Sequence, residues 1–233
     1  MRRTPVNYRF DKINKNSLLA TMLIHPVYRI VVFIAKIMFR ELFDGDVYGD
    51  ENIPRHGPCL LACNHLSYFD PPFIGSAVSN REVFSMARSS LFRTKFRNWL
   101  FRNMNCVALN RGGADVAAIR AALRLLKNGK CLMIFPEGTR SKDGSHGSVH
   151  AGVGMLACRT RVQVIPCRIF GTFEIMGRGR KFFDWNRKAT IVFGTALKPA
   201  DYMPPDAYKR DYEYSAAVIM EAVRSIQIPG CAK

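Results

Sequence analysis

The chain has 233 residues, 48% of them hydrophobic and 23% charged, which excludes an intrinsically disordered protein and suits one domain with a short N-terminal appendage. Lysines and arginines number 35 against 18 aspartates and glutamates, and the net charge of +17 indicates a polyanionic partner: nucleic acid, an anionic membrane surface or a phosphorylated substrate. The seven cysteines contain no CxxC pair, so we expect reduced thiols and a cytoplasmic setting.

The most apolar long stretch is residues 17–43. Four residues interrupt it and leave no uncharged run of about 18, the length that a membrane-spanning helix needs: Pro26, Arg29, Lys36 and Arg40. A helix starting at Pro26 would hold the three basic residues near one face, opposite residues such as Val32, Phe33 and Ile37. This pattern predicts an amphipathic helix lying in the surface of an anionic membrane, although a helix packed on its own domain has a similar pattern.

Short apolar strands alternate with helices in the rest of the chain. Strands are predicted early in 46–63 and at 58–63, 83–87, 106–109, 131–135, 162–166 and 189–194, with helices at 71–79, 114–128, 149–159 and 206–226. Most of these strands are continuously apolar, as in a buried parallel sheet. We therefore predict an α/β domain over residues 46–233, with a mostly parallel central sheet flanked by helices, and a helical membrane-associated segment over residues 1–45.

The first candidate site is the turn between the strand at 58–63 and the following helix. His65 and Asp70 lie five positions apart, about 140° around a helix, so their side chains meet only if the chain turns between them. Asp70 stands directly before Pro71, which predicts a helix N-cap. The pair suits general-base catalysis, with the carboxylate orienting the imidazole. The alternative is a turn histidine beside an ordinary helix cap.

The second candidate site is the loop Phe135-Pro136-Glu137-Gly138-Thr139-Arg140-Ser141, which follows another buried strand. Ligands of open α/β sheets bind beyond the carboxyl ends of the strands, where this loop, the 64–70 turn and Arg111 would all lie. Gly138 allows close backbone approach, and Arg140 offers a planar fork that matches phosphate oxygens. The alternative is an ordinary turn with a surface ion pair.

These blocks resemble the motifs of a known family. Asn64-His65 with Asp70 matches the HxxxxD block, and Phe135 to Arg140 the FPEGTR block, of the glycerolipid acyltransferases, most closely the bacterial 1-acyl-sn-glycerol-3-phosphate (lysophosphatidate) acyltransferases. Arg111 and Val164-Ile165-Pro166 match two lesser blocks, and the resemblance runs from about residue 46 to 200.

The resemblance implies acyl transfer from a thioester to the sn-2 hydroxyl of lysophosphatidate, giving phosphatidate for phospholipid biosynthesis. His65 would be the general base, oriented by Asp70, and no metal or cofactor is implied. The substrate-binding residues implied by the family are Arg88, Arg111, Glu137, Gly138, Thr139 and Arg140. Arg88 stands where many relatives have a lysine, and His150, where a lysine is also frequent, is assigned no role.

Several points stay open at this stage. The thioester donor is acyl-CoA or acyl carrier protein, and the acceptor is lysophosphatidate or another lysolipid, such as a lyso-ornithine lipid or a lysophospholipid. A catalytically silent lipid-binding relative and an acyl-enzyme on Cys63 are further alternatives. Nucleic-acid binding is not expected, because no recognition motif accompanies the charge. The expected location is the cytoplasmic face of a membrane, as a peripheral or monotopic protein.

Overall fold

In the computed structural model, which describes residues 18–110, 115–204 and 211–230 with side chains from residue 26 onward, one seven-stranded sheet forms the centre of the molecule. The strands are β1 Asp46–Tyr48, β2 Cys59–Cys63, β3 Val83–Arg88, β4 Cys106–Leu109, β5 Cys131–Ile134, β6 Gln163–Phe170 and β7 Thr190–Phe193. Their order across the sheet is β1-β7-β6-β2-β5-β3-β4.

The strand directions bring most carboxyl ends to one edge of the sheet. β2 is parallel to both of its neighbours, β5 and β6, and β3 is parallel to β5 and β4. β7 runs antiparallel to β6, and β1 is parallel to β7. The carboxyl ends of β2, β3, β4, β5 and β6 therefore lie along the same edge, where an open α/β sheet binds its ligands.

Helices cover both faces of the sheet. They are α1 Leu18–Ile37, α2 Asp70–Ala77, α3 Lys95–Asn103, α4 Val116–Lys127, α5 Gly152–Thr160, α6 Thr172–Met176, α7 Pro199–Tyr202 and α8 Tyr212–Arg224. Alternate residues of β2 point to the two faces. Leu61 and Cys63 pack in one apolar cluster with residues of α1 and α2, whereas Leu60 and Ala62 pack in a second with residues of α4, α5 and α8. The predicted α/β class with a mostly parallel sheet is confirmed.

Two local predictions are wrong, and one helix was not predicted. The first helix does not start at Pro26 but contains it, because the helical stretch begins at Leu18. β6 continues to Phe170 instead of ending at Pro166. Helix α3 was not predicted, although Thr94 caps it by accepting a hydrogen bond from the Arg97 N–H at 3.2 Å. Its three basic residues and two asparagines interrupt the apolar spacing that would indicate a helix.

The end of the N-terminal segment packs into the core. Ala35, Phe39 and Phe43 belong to the same apolar cluster as the sheet residues, and the Tyr28 hydroxyl accepts a hydrogen bond from the Val83 N–H at 3.0 Å. The chain from α1 continues through a π-helical turn, Met38–Leu42, before it enters β1. The domain boundary at residue 45 stays a prediction, but residues on both of its sides share one core.

The outer side of α1 is partly apolar. Its exposed large apolar side chains are Ile30, Phe33, Ile34 and Ile37. Arg29, Lys36 and Arg40 are exposed as well. Phe33 lies about 40° around the helix from Arg29, so the basic residues border the apolar strip rather than lie opposite it. Within the described residues, no helix is both long and apolar enough to cross a membrane.

Candidate active site

The candidate site lies at the edge of the sheet where β2, β5 and β6 end side by side. The chain leaves β2 at Cys63, turns through residues 64–69 and enters α2 at Asp70. Because β5 and β6 flank β2, the loop after β5 and the segment after β6 lie on either side of this turn. The structure thus brings together the first two sequence-predicted blocks and a third segment that was not predicted.

His65 and Asp70 are in direct contact. The Nδ1 atom of His65 lies 2.8 Å from Oδ2 of Asp70, and the two side chains are 17% and 0% exposed. An ionised carboxylate at this distance holds the imidazole proton on Nδ1. The other ring nitrogen, Nε2, is then left as the basic atom of the pair.

The Asp70 carboxylate is held from several directions. Its Oδ2 atom also accepts hydrogen bonds from the backbone N–H groups of Leu66 at 2.6 Å and Ser67 at 2.7 Å. Its Oδ1 atom accepts a hydrogen bond from the Thr172 hydroxyl at 2.7 Å. Four donors therefore surround a fully buried carboxylate, as burial of a charge requires.

The prediction that Asp70 caps α2 is wrong. Asp70 is the first residue of the helix, its cap position is Phe69, and no side chain caps the helix there. The next two residues are Pro71 and Pro72, which have no N–H to donate. The N–H of Phe73 already donates to the Phe69 carbonyl at 2.9 Å. The carboxylate therefore turns back to residues 65–67, which offer free donors.

The turn between β2 and α2 is fastened to β6 and α6. The buried Asn64 side chain donates to the Ile169 carbonyl at 3.0 Å and accepts from the Ile169 N–H at 2.8 Å. The Ser67 hydroxyl donates to the Met176 carbonyl at 2.7 Å. Together with the Thr172–Asp70 bond, these contacts fix the turn at its start, middle and end.

The loop after β5 contacts the same turn. The Phe135 ring stacks on the His65 ring with centroids 4.1 Å apart and an interplanar angle of 23°. The Ser141 N–H donates to the His65 carbonyl at 2.8 Å. The guanidinium of Arg140 lies 3.5 Å from the centre of the Tyr68 ring, a cation–π contact. The two sequence blocks are therefore neighbours in the folded chain.

The remaining residues of the loop differ in exposure. Gly138 and Thr139 are exposed, and Gly138 has a φ of +62°, in the left-handed region that glycine adopts readily. Glu137 is 2% exposed and accepts a hydrogen bond from the Gly147 N–H at 3.1 Å. Its other carboxylate oxygen is 3.6 Å from Nδ1 of His146, longer than an ordinary hydrogen bond. Glu137 thus faces the protein interior.

Two predicted arginines belong to more distant strand ends. Arg88 ends β3, next to β5, and is exposed. Arg111 follows β4, at the edge of the sheet, and lies outside the described residues.

An apolar cavity of about 290 Å³ opens beside the turn. Tyr68, Pro71 and Pro72 line it next to the site, and Met133 and Cys106 line it from the sheet. Further lining residues come from α1: Tyr28, Val31 and Val32. The cavity therefore connects the first helix with the turn that carries His65.

Cys63 does not have the surroundings of a nucleophile. The side chain is fully buried between the sheet and α2, and burial together with the hydrogen bond to Cys167 raises the pKa of its thiol well above the usual value. The thiolate, which is the reactive form, is thereby disfavoured. The six cysteines of the described chain are all free.

The part of the chain that the structure describes contains no group of three His, Cys, Asp or Glu side chains that could hold a metal ion. The expectation that the protein uses no metal or cofactor stays a prediction.

Three supports of the site were not predicted from the sequence: Thr172, Ser67 and the side chain of Asn64. A signal for Thr172 exists, since Gly171-Thr172 follows the largely apolar run of residues 162–170 and so stands at the carboxyl end of a strand.

The fold and the site together define an α/β protein with a histidine–carboxylate pair at the carboxyl edge of its sheet. A family model described as Acyltransferase matches residues 45–170, just over half of the chain. The chain belongs to this acyltransferase family.

Individual relatives of the chain are named as acyltransferases as well. A 1-acyl-sn-glycerol-3-phosphate acyltransferase of Brassica napus chloroplasts, BAT2, is 32% identical over 63% of this chain and 44% of its own. The Bacillus subtilis protein with the same enzyme name is 24% identical over 67% of this chain and 75% of its own. The crystal structure of the 1-acyl-sn-glycerophosphate (LPA) acyltransferase PlsC from Thermotoga maritima superposes with a TM-score of 0.70, at 29% identity, over 88% of this chain and 81% of that chain. The chain thus spans less than half the length of the chloroplast relative.

Proposed function

We propose that the protein transfers a fatty acyl group from a thioester to the sn-2 hydroxyl of lysophosphatidate, with His65 as the general base. The contact between His65 Nδ1 and Asp70 Oδ2 at 2.8 Å carries this proposal, because it leaves the basic Nε2 atom to accept a proton. The enzyme names of the relatives support the reaction and the acceptor.

The reaction needs one proton acceptor and no covalent enzyme intermediate. His65 Nε2 takes the hydroxyl proton as the acceptor oxygen attacks the thioester carbonyl. The tetrahedral intermediate then collapses to the ester and expels the thiolate, which receives the proton from the imidazolium. Asp70 stabilises the imidazolium throughout, and the Phe135 ring limits rotation of the imidazole plane.

Arginine side chains bind the acceptor phosphate in this proposal. Arg140 is anchored by its contact with Tyr68 in the turn next to His65, and its planar fork can donate two parallel hydrogen bonds to phosphate oxygens. Arg88, the last residue of β3, supplies further positive charge along the same edge, and Arg111 is the third phosphate-binding arginine of this proposal. Gly138 and Thr139 are exposed beside Arg140 and contact the glycerol backbone, while the buried Glu137 holds the loop through Gly147.

The acyl chain occupies the apolar cavity between α1 and the sheet. Its lining is hydrocarbon and aromatic over most of its surface, and Tyr68 and Pro71 connect it with the turn of His65. An acyl chain there gains the free energy of removing apolar surface from water.

An acceptor and donor panel in mixed micelles tests the proposed function. We expect lysophosphatidate to be acylated, and His65→Ala to lower turnover at least about 10²-fold with the fold intact. His56→Ala is the matched control, since His56 is exposed and precedes the amino end of β2, at the opposite edge of the sheet. Near-normal turnover of His65→Ala contradicts the mechanism. If the protein acylates another lysolipid in preference to lysophosphatidate, that lysolipid is the acceptor. If it acylates none of the acceptors, the protein is a catalytically silent lipid-binding relative.

The same panel separates the two donors. Acyl-CoA and acyl carrier protein thioesters of the same acyl chain are compared at equal concentration, so that any difference in kcat/KM reflects the carrier alone.

We also propose that the apolar strip of α1 contacts an anionic membrane surface. Ile30, Phe33, Ile34 and Ile37 are exposed, and the basic residues that border them suit anionic headgroups. A deletion of residues 1–43 is a poor test, because it also removes the buried Phe39. Substitutions on the exposed strip leave the core intact.

Vesicle sedimentation with a Phe33→Ser/Ile37→Ser variant tests this contact. Phe33 is 63% and Ile37 44% exposed, so burying them in lipid is worth about 2 kcal/mol, and the variant should bind roughly 30-fold more weakly. The control is Phe182→Ser/Phe183→Ser, in an exposed loop that also carries Arg178, Arg180 and Lys181. If only the control variant loses binding, that loop is the membrane contact.

A further inference from the structure

We infer that Thr172 is a positioning residue for the His65–Asp70 pair. The inference rests on the function proposed above. Thr172 is fully buried, and its hydroxyl donates to Oδ1 of Asp70 at 2.7 Å. It lies two residues beyond the segment that matches the acyltransferase family model.

The two carboxylate oxygens of Asp70 accept hydrogen bonds from different parts of the chain. Oδ2 accepts from His65 and from the backbone of Leu66 and Ser67, all within the same turn. The Oδ1 atom accepts from Thr172, which is 102 residues away in sequence. The carboxylate plane rotates about the Cβ–Cγ bond, which moves both oxygens together. The hydroxyl on Oδ1 therefore opposes a rotation that would also change the direction in which Oδ2 meets the imidazole.

The backbone at Thr172 is itself constrained. Gly171 has a φ of +80°, and a Cβ atom at this position would collide with the Lys188 carbonyl, so the chain makes a tight turn there after β6. The Asn64–Ile169 hydrogen bonds and the Ser67–Met176 hydrogen bond tie the residues on both sides of Thr172 to the turn of His65. A β-branched threonine has few χ1 rotamers, so a fixed backbone leaves few directions for its hydroxyl.

The contact differs from the ordinary use of threonine at a helix start. A threonine at the N-cap commonly accepts a hydrogen bond from a backbone N–H of its own helix. The N-cap of α6 is Gly171, and Thr172, the first residue of the helix, donates to a carboxylate on another element. A hydrogen bond to an ionised group is about twice as strong as a neutral one, so the loss of this hydroxyl is felt at Asp70.

Steady-state kinetics of Thr172→Val test the inference, because valine has the same shape and no hydroxyl. We expect kcat to fall about 10- to 100-fold with the acceptor KM unchanged, the effect of losing one hydrogen bond to a charged group. Thr172→Ser should stay within about threefold of the wild type. The matched control is Thr160→Val, which loses an equally short hydrogen bond, from Thr160 to the Leu156 carbonyl at 2.7 Å, near the opposite edge of the sheet.

A double-mutant cycle separates positioning from packing. If Thr172 acts through the Asp70 charge, adding Thr172→Val to Asp70→Asn should lower kcat by less than about threefold more, whereas independent effects multiply. The inference is overturned if the effects of Thr172→Val and Asp70→Asn on kcat multiply. It is also overturned if Thr172→Val and Thr160→Val have equal kcat. Thr172→Ala is the second variant if valine prevents folding.

The failures of the two proposals are distinguishable. Full activity of His65→Ala removes the proposed base and, with it, the role of Thr172. Loss of activity in His65→Ala, together with full activity of folded Thr172→Val or Thr172→Ala, removes the role of Thr172 alone.

Discussion

Replacing Asp70 by asparagine isolates the charge of the proposed catalytic pair. Asparagine has the same shape, and its carbonyl oxygen in the position of Oδ2 can still accept hydrogen bonds from Leu66 and Ser67. Its amide group then faces the Thr172 hydroxyl, whose oxygen can accept a hydrogen bond. The contacts of the Asp70 side chain can therefore be kept, although the Thr172 O–H proton loses its acceptor, so the variant should fold with reduced stability.

The expected kinetic loss follows from the charge that forms on His65. As His65 takes the proton, its imidazolium lies about 4 Å from the centre of the carboxylate, and such a pair is worth about 4 kcal/mol at an effective dielectric constant of about 20. We therefore expect kcat of Asp70→Asn to fall about 10²- to 10⁴-fold, which corresponds to about 2.7–5.4 kcal/mol. The corresponding substitution in the Ser-His-Asp triad lowers kcat about 10⁴-fold.

Thiol release from the acyl donor measures kcat, and urea unfolding measures stability. The fold should lose about 2–4 kcal/mol, because four charge-assisted hydrogen bonds become neutral ones. Asp50→Asn is the control, since the Asp50 carboxylate accepts a long hydrogen bond from the Ser79 hydroxyl, at 3.4 Å. A folded Asp70→Asn protein with kcat within threefold of the wild type refutes the reasoning, because the imidazolium then needs no partner.

Three further predictions concern the surroundings of the site. Asn64→Asp should lower the free energy of unfolding by about 2–5 kcal/mol in urea, because it sets an oxygen against the buried Ile169 carbonyl; a loss below 1 kcal/mol contradicts this. Cys63→Ala should keep its turnover, and a tenfold fall in the folded variant would restore the acyl-cysteine route. Burial raises the pKa of Tyr28 to about 12, so between pH 10 and 12 the unfolded chain loses this proton while the folded chain keeps it. The free energy of unfolding should therefore decrease over this range by up to about 2.7 kcal/mol from Tyr28 alone. The prediction is contradicted if the free energy of unfolding of Tyr28→Phe decreases with pH as steeply as that of the wild type.

The sequence was informative where the chemistry is local. The spacing of His65 and Asp70 required a turn between them, and the turn and the contact are both present. Most of the order of strands and helices along the chain was predictable as well, because most of the strands are continuous apolar runs. The loop at 135–141 was recognised from its residue types, and its contact with the turn follows from the neighbouring positions of β2 and β5.

The sequence was uninformative where tertiary contacts decide. The rule that aspartate before proline caps a helix failed at Asp70, because nearby backbone donors compete for the carboxylate. Thr172 could not be paired with Asp70, since the contact depends on β6 lying beside β2, and the sequence pattern of strands does not give their order. Helix α3 was missed because five of its nine residues are basic or asparagine, which weakens the apolar signal of a helix.

The position of His65 depends on three adjacent strands at once. Its ring rests on Phe135 after β5, its carbonyl accepts from Ser141, and its carboxylate partner is held by Thr172 after β6. The register that pairs Cys63 with Cys167 sets these distances. A slip of one residue would shift them by about 3.3 Å, whereas catalytic geometry tolerates about 0.5 Å. The buried side chains that fix the register therefore determine the proposed chemistry as directly as the polar residues that perform it.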